Sequence, residues 1–267
     1  MTVRGRATTL SIGLLVPPAN PAAPGEYRRL LSGLDLRIAA LPVIEGSLQE
    51  RLTGYADRLA EPSAALRSQR PAAVVLACTG CSYGLGVDGD RRLARAVREA
   101  TDSPAVTAAG AVTRVLGKLN TRSLTLVSPY PRWLTDQAAA FWSAAGIAVT
   151  NVVPISGSGK IYDLTPDEVL AVVDSVLADD ELAVASGHAV VVTGTGAPSL
   201  EALDRRASGS PVPIVSSNLA GAWSVLDELG ALDLAEGSGS TALRHLNRII
   251  RSAASPAHRA SSGGADQ

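Results

Sequence analysis

Short apolar runs rich in β-branched residues recur along the chain, each closed by Gly, Pro or Ser. They are "LSIGLLV" (10–16), "AAVVLAC" (72–78), "LTLV" (124–127), "IAVTNVV" (147–153), "AVVVTG" (189–194) and "PIVSS" (213–217). Runs of this length without polar alternation are how strands buried on both faces read. Between them lie stretches of helical period: 89–100, 134–145, 198–207, 219–229 and "DLTPDEVLAVVDSVLA". The last opens with Thr165 as N-cap, Pro166 at the first helical position and Glu168 three residues after the cap. That is a capping box. Strand and helix alternating in this way predict an α/β fold with parallel sheets.

The pattern also repeats. "LLVPPANP" (14–21) returns in kind as "TLVSPYPR" (125–132), "VVLACTG" (74–80) as "VVVTGTG" (191–197), and "SPAVTAAGAVTRVLGKL" (103–119) as "VPIVSSNLAGAWSVLDEL" (212–229). The three pairs keep their order at an offset of about 110 residues, which predicts two related Rossmann-like lobes with pseudo-twofold symmetry. The expected division is 8–117 plus 216–253 for the first lobe and 118–215 for the second, with a disordered Ala/Ser/Gly-rich tail over 256–267. Parallel sheets bind ligands beyond the carboxyl ends of their strands. Both lobes should therefore converge on one cleft, with Cys78 and Gly194 at matched positions across it.

Composition narrows the function classes. Hydrophobic residues make up 46% of the 267, enough for a sizeable core, but aromatics are only 3%, so aliphatic and alanine packing must build it. A net charge of -1 lacks the basic footprint of a nucleic-acid binder. No apolar run reaches the roughly 18 residues of a membrane span. The opening "MTVRGRATTLSIGLLVPPA" faintly mimics a signal peptide, yet its apolar run is short and Pro17-Pro18 follow at once, so it reads as the first strand. Two cysteines in a chain this long imply no disulfide framework and fit a cytoplasmic protein.

Those two cysteines, Cys78 and Cys81, stand in "VVLACTGCSYGLG" (74–86). Cys78 ends a strand and precedes small residues whose N–H groups can turn toward an anion, a setting that lowers a thiol's pKa. The alternative is an inert buried cysteine. With Cys81 it forms C-x-x-C, but there is no second pair and the three His are scattered, so a zinc site is not supported. A redox pair would normally open a helix; Gly80 and "SYGLG" read as a loop, which leaves Cys81 a packing residue. "GTGAPS" (194–199) fails the dinucleotide fingerprint at Ser199. "SGSGK" (156–160) fails the P-loop pattern at Pro154 and Ile161, so both read as turns. Asn20 in "PPANP" can orient a carboxylate or simply serve a turn. Tyr130 in "SPYPRW" can donate to an oxyanion or simply pack. No Ser/His/Asp set stands out.

Taken together, these strings resemble the aspartate/glutamate racemase superfamily, in particular its maleate cis-trans isomerase and arylmalonate decarboxylase branch. "GLLVPPANP" is similar to the first strand and anion-binding loop, "ACTGCSYG" to the first catalytic-cysteine segment and "LVSPY" to the tyrosine segment. "VVVTGTGAPSLEAL" and "PIVSSNLAGAW" are similar to the second-cysteine strand and its sequel. The resemblance spans about residues 10–230. It implies catalytic roles for Cys78, Tyr130 and Asn20, and substrate contacts from Pro17, Pro18, Thr79, Gly80, Ser82, Gly194, Thr195 and Gly196. It further implies a small carboxylate substrate, no cofactor, no metal, no nucleic-acid or membrane partner, and a family in which homodimers are common.

One departure matters. Where the family carries its second cysteine, this chain has Gly194. Two-thiol racemisation loses its second proton carrier. Arylmalonate decarboxylase keeps the second cysteine and lacks the first, the mirror arrangement. The expectation is a cofactor-independent isomerase of the maleate type acting through Cys78. A malonate-type decarboxylase with Cys78 as one-face proton donor and a non-catalytic carboxylate-binding relative are the alternatives. Pocket walls are expected from loops such as 44–55 and 154–163, where Lys160 meets either a second carboxylate or solvent.

Overall fold

The computed structural model describes residues 10–155, 161–179 and 186–254. Eight strands form two four-stranded parallel sheets. The first contains β1 (Ser11–Val16), β2 (Asp35–Ala40), β3 (Ala73–Leu76) and β4 (Ala105–Thr107) in the order β2-β1-β3-β4. The second contains β5 (Ser123–Ser128), β6 (Ala148–Pro154), β7 (His188–Val192) and β8 (Ile214–Ser216) in the order β6-β5-β7-β8. The two orders are the same, and the three sequence pairs fall on β1/β5, β3/β7 and β4/β8. The fold is α/β with two related lobes.

All four inner strands carry apolar runs read from the sequence. β3 and β7 are buried along their whole length, and β1 and β5 everywhere but their first residue. The edge strands β2 and β6 are half-exposed, while β4 and β8 at the opposite edges are buried. Two strands escape the apolar-run reading, for different reasons. β2, "DLRIAA", is an edge strand carrying Asp35 and Arg37, and β4 is only three residues long.

Helices fill the crossovers: α1 (Ala23–Leu30), α2 (Leu48–Asp57), α3 (Ala60–Arg67), α4 (Thr79–Tyr83), α5 (Gly86–Thr101), α6 (Ala108–Lys118), α7 (Arg132–Ala144), α8 (Pro166–Leu177), α9 (Leu200–Arg206), α10 (Ser217–Glu228) and α11 (Thr241–Ala254). The capping box expected at α8 forms, with Glu168 N donating to Thr165 Oγ1 (3.3 Å) and Thr165 N to Glu168 Oε2 (2.7 Å). Two expectations need correction. Residues 79–83, read as a loop, are helical. The 44–55 stretch, also read as a loop, is largely α2, opened by its own capping box at Ser47 and Glu50.

The matched helices α6 and α10 pack together and join the lobes. Ser224 Oγ donates to Ala111 O (3.4 Å), and Arg114 reaches Asp227 (3.4 Å) and Glu228 (2.8 Å). On its other side α10 meets α1 so closely that a Cβ at Gly221 would overlap the Tyr27 hydroxyl. Only glycine fits there. Trp142, Trp223 and Tyr27 are the largest fully buried side chains among the described residues, set in Leu, Val and Ala packing. The expected tail (256–267), the "SGSGK" turn and Lys160 lie outside the described residues.

Candidate active site

Chain order reverses between β1 and β3 in the first sheet and between β5 and β7 in the second. In an open α/β sheet the crevice at such a switch point receives ligands. The four segments leaving these strands carry the four strings singled out in the sequence: Pro17–Asn20, Cys78–Ser82, Pro129–Tyr130 and Thr193–Gly196. Side chains from both lobes interlock there. Thr79 Oγ1 and Tyr130 Oη lie 2.5 Å apart, and the Tyr83 and Thr193 hydroxyls are hydrogen-bonded. Thr195 Oγ1 donates to Ala77 O (2.8 Å).

Cys78 stands at the N-cap of α4 with extended backbone (φ -147°, ψ 99°) and is buried. Its Sγ is 2.8 Å from Cys81 Sγ, and both cysteines are free thiols. The Cys81 thiol holds the Cys78 pKa below the usual thiol value, aided by the backbone N–H groups of Cys81 and Gly80, which together outweigh the opposing effect of burial. The Cys81 thiol moves the other way, raised by its bond to Cys78, by burial and by the charge on Cys78. The contact thus favours ionisation at Cys78 and retention of the proton at Cys81, and the reading of Cys81 as a packing residue gives way to that of a hydrogen-bond partner.

Tyr130 follows β5 and packs edge-on to Tyr83, ring centroids 6.1 Å apart. Burial and the nearby Tyr83 raise its pKa well above the usual phenol value, so its O–H stays available as a donor. A Cβ on Gly194 would lie 3.4 Å from the Tyr130 hydroxyl and 2.8 Å from Pro129 Cγ, and Gly194 itself has φ +93°. Gly194 thus flanks Tyr130 from the second lobe while Thr79 and Cys78 flank it from the first.

Other expected contacts are already engaged. Asn20 Oδ1 accepts from Ala22 N (3.1 Å) and Ala23 N (3.0 Å), and its Nδ2 donates to Thr195 Oγ1 (3.0 Å). One amide hydrogen remains for a ligand. The Thr195 hydroxyl both donates and accepts within this chain, leaving it a latch between lobes. Ser82 is fully buried and donates to Asp90 Oδ1 (2.5 Å), so its hydroxyl does not reach a substrate. Pro17 is buried and Pro18 exposed. Gly196 lies under the Tyr162 ring, whose Cε1 is 2.5 Å from where a Cβ would stand.

Three residues near the site were not found from sequence: Tyr55, Tyr162 and Arg51. Both phenols are raised by burial first and then by the charge on Cys78, and both are drawn back by Arg51. The signal for α2 was present as the S-x-x-E spacing of Ser47 and Glu50. Behind the Thr193–Gly196 turn, buried Glu26 accepts from Leu200 N (2.7 Å) and Asn218 Nδ2 (2.7 Å), and Asn218 Nδ2 also donates to Thr195 O (3.0 Å). Burial pushes the Glu26 carboxyl up to about 7 against those hydrogen bonds. No group of three or more His, Cys, Asp or Glu among the described residues could hold a metal ion. No helix among them is long and apolar enough to cross a membrane.

Comparison with known proteins decides the family. The model of the arylmalonate decarboxylase family matches residues 12–242. The chain belongs to that family. It is 28% identical over 219 residues to the arylmalonate decarboxylase of Bordetella bronchiseptica, covering 82% of this chain and 90% of that one. Among solved structures, a C-to-S variant of the Nocardia farcinica maleate cis-trans isomerase, with a covalently bound succinylcysteine intermediate, superposes with TM-score 0.76 at 22% identity, covering 90% of this chain and 99% of that one. A C-to-A variant of the maleate isomerase of Pseudomonas putida S16, solved with maleate, superposes with TM-score 0.74 at 20% identity, covering 83% of this chain and 92% of that one. The family resemblance read from the strings is thereby established. The relatives are isomerases or decarboxylases.

Proposed function

We propose that this protein is a cofactor-independent isomerase of the maleate cis-trans type, with Cys78 as nucleophile toward a small unsaturated carboxylate. The observation that carries the reading is the 2.8 Å contact between Cys78 and Cys81. A nucleophile must be ionised, a proton donor must not be. The Cys81 thiol and two backbone N–H groups favour the ionised form of Cys78.

In the reaction, the Cys78 thiolate adds to the substrate double bond. A C–S bond forms, and the π electrons move onto the adjacent carboxylate as an enediolate. Rotation about the former double bond follows. Collapse of the enediolate expels the thiolate and restores the double bond in the trans arrangement, so no proton or electron is gained or lost overall. The Tyr130 and Thr79 hydroxyls are bonded to each other, which leaves the pair one O–H to donate to the enediolate, and the free amide hydrogen of Asn20 is a second donor. Preorganised donors of this kind are worth ~3 kcal/mol each. The succinylcysteine in the Nocardia isomerase has the C–S bond this route forms and is the carbon-protonated counterpart of its enediolate.

A second reading has support of its own, because the family model and the 28%-identical relative are decarboxylases. Loss of CO₂ from a malonate would leave an enediolate that Cys78 protonates from one face. Proton NMR in D₂O with maleate, arylmalonates and alkylmalonates distinguishes the two. The isomerase reading expects cis-to-trans conversion without deuterium entering the vinyl positions. Loss of CO₂ with deuterium incorporation, and no cis-trans change, would replace it with the decarboxylase.

A further inference from the structure

We propose that Arg51 is a specificity-determining residue of this cleft, a receptor for a second anionic group on the substrate. Nothing in the chemistry at Cys78 requires it: one carboxylate suffices to form the enediolate. The inference rests on the carboxylate-binding reading above and adds to it a residue and a selection rule.

The argument begins with α2. Its capping box fixes the helix start at Ser47, and its Leu52 side chain packs on the Cys78 turn, 2.8 Å from where a Cβ on Gly80 would stand. Arg51 and Tyr55 are four residues apart, so they share a helix face beside Leu52. Tyr55 is buried and packs in the cluster that contains Cys78 and Cys81. Arg51 is half-buried. Its Nε is inaccessible to solvent and has no hydrogen-bond partner.

Other cations near carboxylates are paired. Arg29, Arg37, Arg98, Arg114, Arg205, Arg206 and Arg251 each reach an Asp or Glu. Arg51 makes no ion pair among the described residues. The acid beside it, Glu50, is held by Ser47 in the capping box. A guanidinium with a buried, unsatisfied N–H is costly unless something pairs with it, and a carboxylate matches its fork geometry. Tyr55, one helical turn on from Arg51, packs in the cluster with Cys78 and Cys81, and Leu52 packs on Gly80, which puts the cation and the thiol on one side of the cleft. Decarboxylation moves the negative charge off the departing carboxylate, so a cation paired with that group stabilises the bound acid over its departure as neutral CO₂. Arg51 therefore favours a substrate that keeps both carboxylates.

The test uses protection of Cys78 from iodoacetamide, read by mass spectrometry of the Cys78 peptide, and needs no turnover. Succinate carries two carboxylates and butyrate one, on chains of equal length. The wild-type protein should be protected by succinate about 10- to 100-fold more effectively than by butyrate, the worth of one charge-assisted pair. Arg51→Gln should reduce succinate to the level of butyrate and leave butyrate unchanged, which also reports an intact fold. Arg51→Lys should keep part of the preference. A succinate preference that survives Arg51→Gln, or equal protection in the wild type, overturns the role of Arg51 alone. If neither acid protects Cys78, the carboxylate-binding reading falls and the role of Arg51 with it.

Discussion

Cys81→Ala isolates the contact on which the mechanism depends. The substitution deletes the thiol that donates to Cys78 and keeps the backbone N–H groups of Gly80 and Cys81, which also lower the Cys78 pKa. A hydrogen bond to a charged group is worth about 1.5–3 kcal/mol, and S–H is a weak donor, so the loss should fall near the lower end. That is about a tenfold change in thiolate population. The assay is the rate of Cys78 alkylation by iodoacetamide against pH, read on the Cys78 peptide. Cys81→Ala should slow alkylation about tenfold at neutral pH and move the rise of the profile to higher pH. Cys81→Ser, which restores a donor, should recover most of the rate. The reasoning is refuted if the profile of Cys81→Ala overlays the wild type or moves to lower pH, for Cys81 would then be packing alone.

Other outcomes follow from the same geometry. Tyr130→Phe removes the phenolic donor beside Thr79 and should lower kcat by about 10²-fold with little change in KM; an equal rise in KM instead would mean the hydroxyl acts in binding. Gly194→Cys places a side chain at φ +93° and within 2.8 Å of Pro129 Cγ, which should cost about 1–3 kcal/mol, so an unchanged Tm would contradict the strain. Glu26 titrates at about 7 in the folded protein against 4.5 unfolded. The folded state therefore holds its proton more tightly, and this contribution is complete below pH 4.5 and disappears as pH rises through 7, about 3 kcal/mol in all. Urea unfolding at pH 5 and pH 8 should show that loss, and Glu26→Gln should flatten the difference; the same pH dependence in Glu26→Gln would assign it elsewhere.

The strands that build the site were the legible part of the chain. β1, β3, β5 and β7 are central, bury both faces and so read as unbroken apolar runs, and the strings that leave them are the strings that line the cleft. What the sequence hid depends on contacts between elements. β2 is an edge strand whose Arg37 and Asp35 face solvent and pair with each other, so no burial imposed a pattern on it. The α4 helix is a single turn, too short for periodicity to register. Its helical backbone is what brings Cys81 back over Cys78, and a C-x-x-C spacing alone does not distinguish that from two thiols pointing apart. Ser82 and Thr195 have the residue types of ligand contacts, and only their partners, Asp90 in one case and Ala77 with Asn20 in the other, reveal that they hold the protein together.

The pair of thiols bears on the question raised by Gly194. With a side chain at Gly194 disfavoured by Pro129 and by the backbone, the second lobe offers no thiol to the opposite face of a substrate. Both sulfurs of this chain lie on one side, in series. In the proposed reaction Cys78 is the thiol that reacts, and Cys81 beside it retains its proton, its own pKa raised by the bond to Cys78 and by burial. Such an arrangement cannot take a proton from one face and return it to the other. It suits chemistry in which one face is attacked and released, which addition, rotation and elimination require. Restoring a thiol across the cleft would need more than Gly194→Cys: Pro129 must also yield. A double variant at Gly194 and Pro129 that still shows no exchange of an α-proton would place the limit in the latches, Tyr83 to Thr193 and Asn20 through Thr195 to Ala77, that fix the second-lobe turn. Exchange gained by the double variant would place it in the missing sulfur alone.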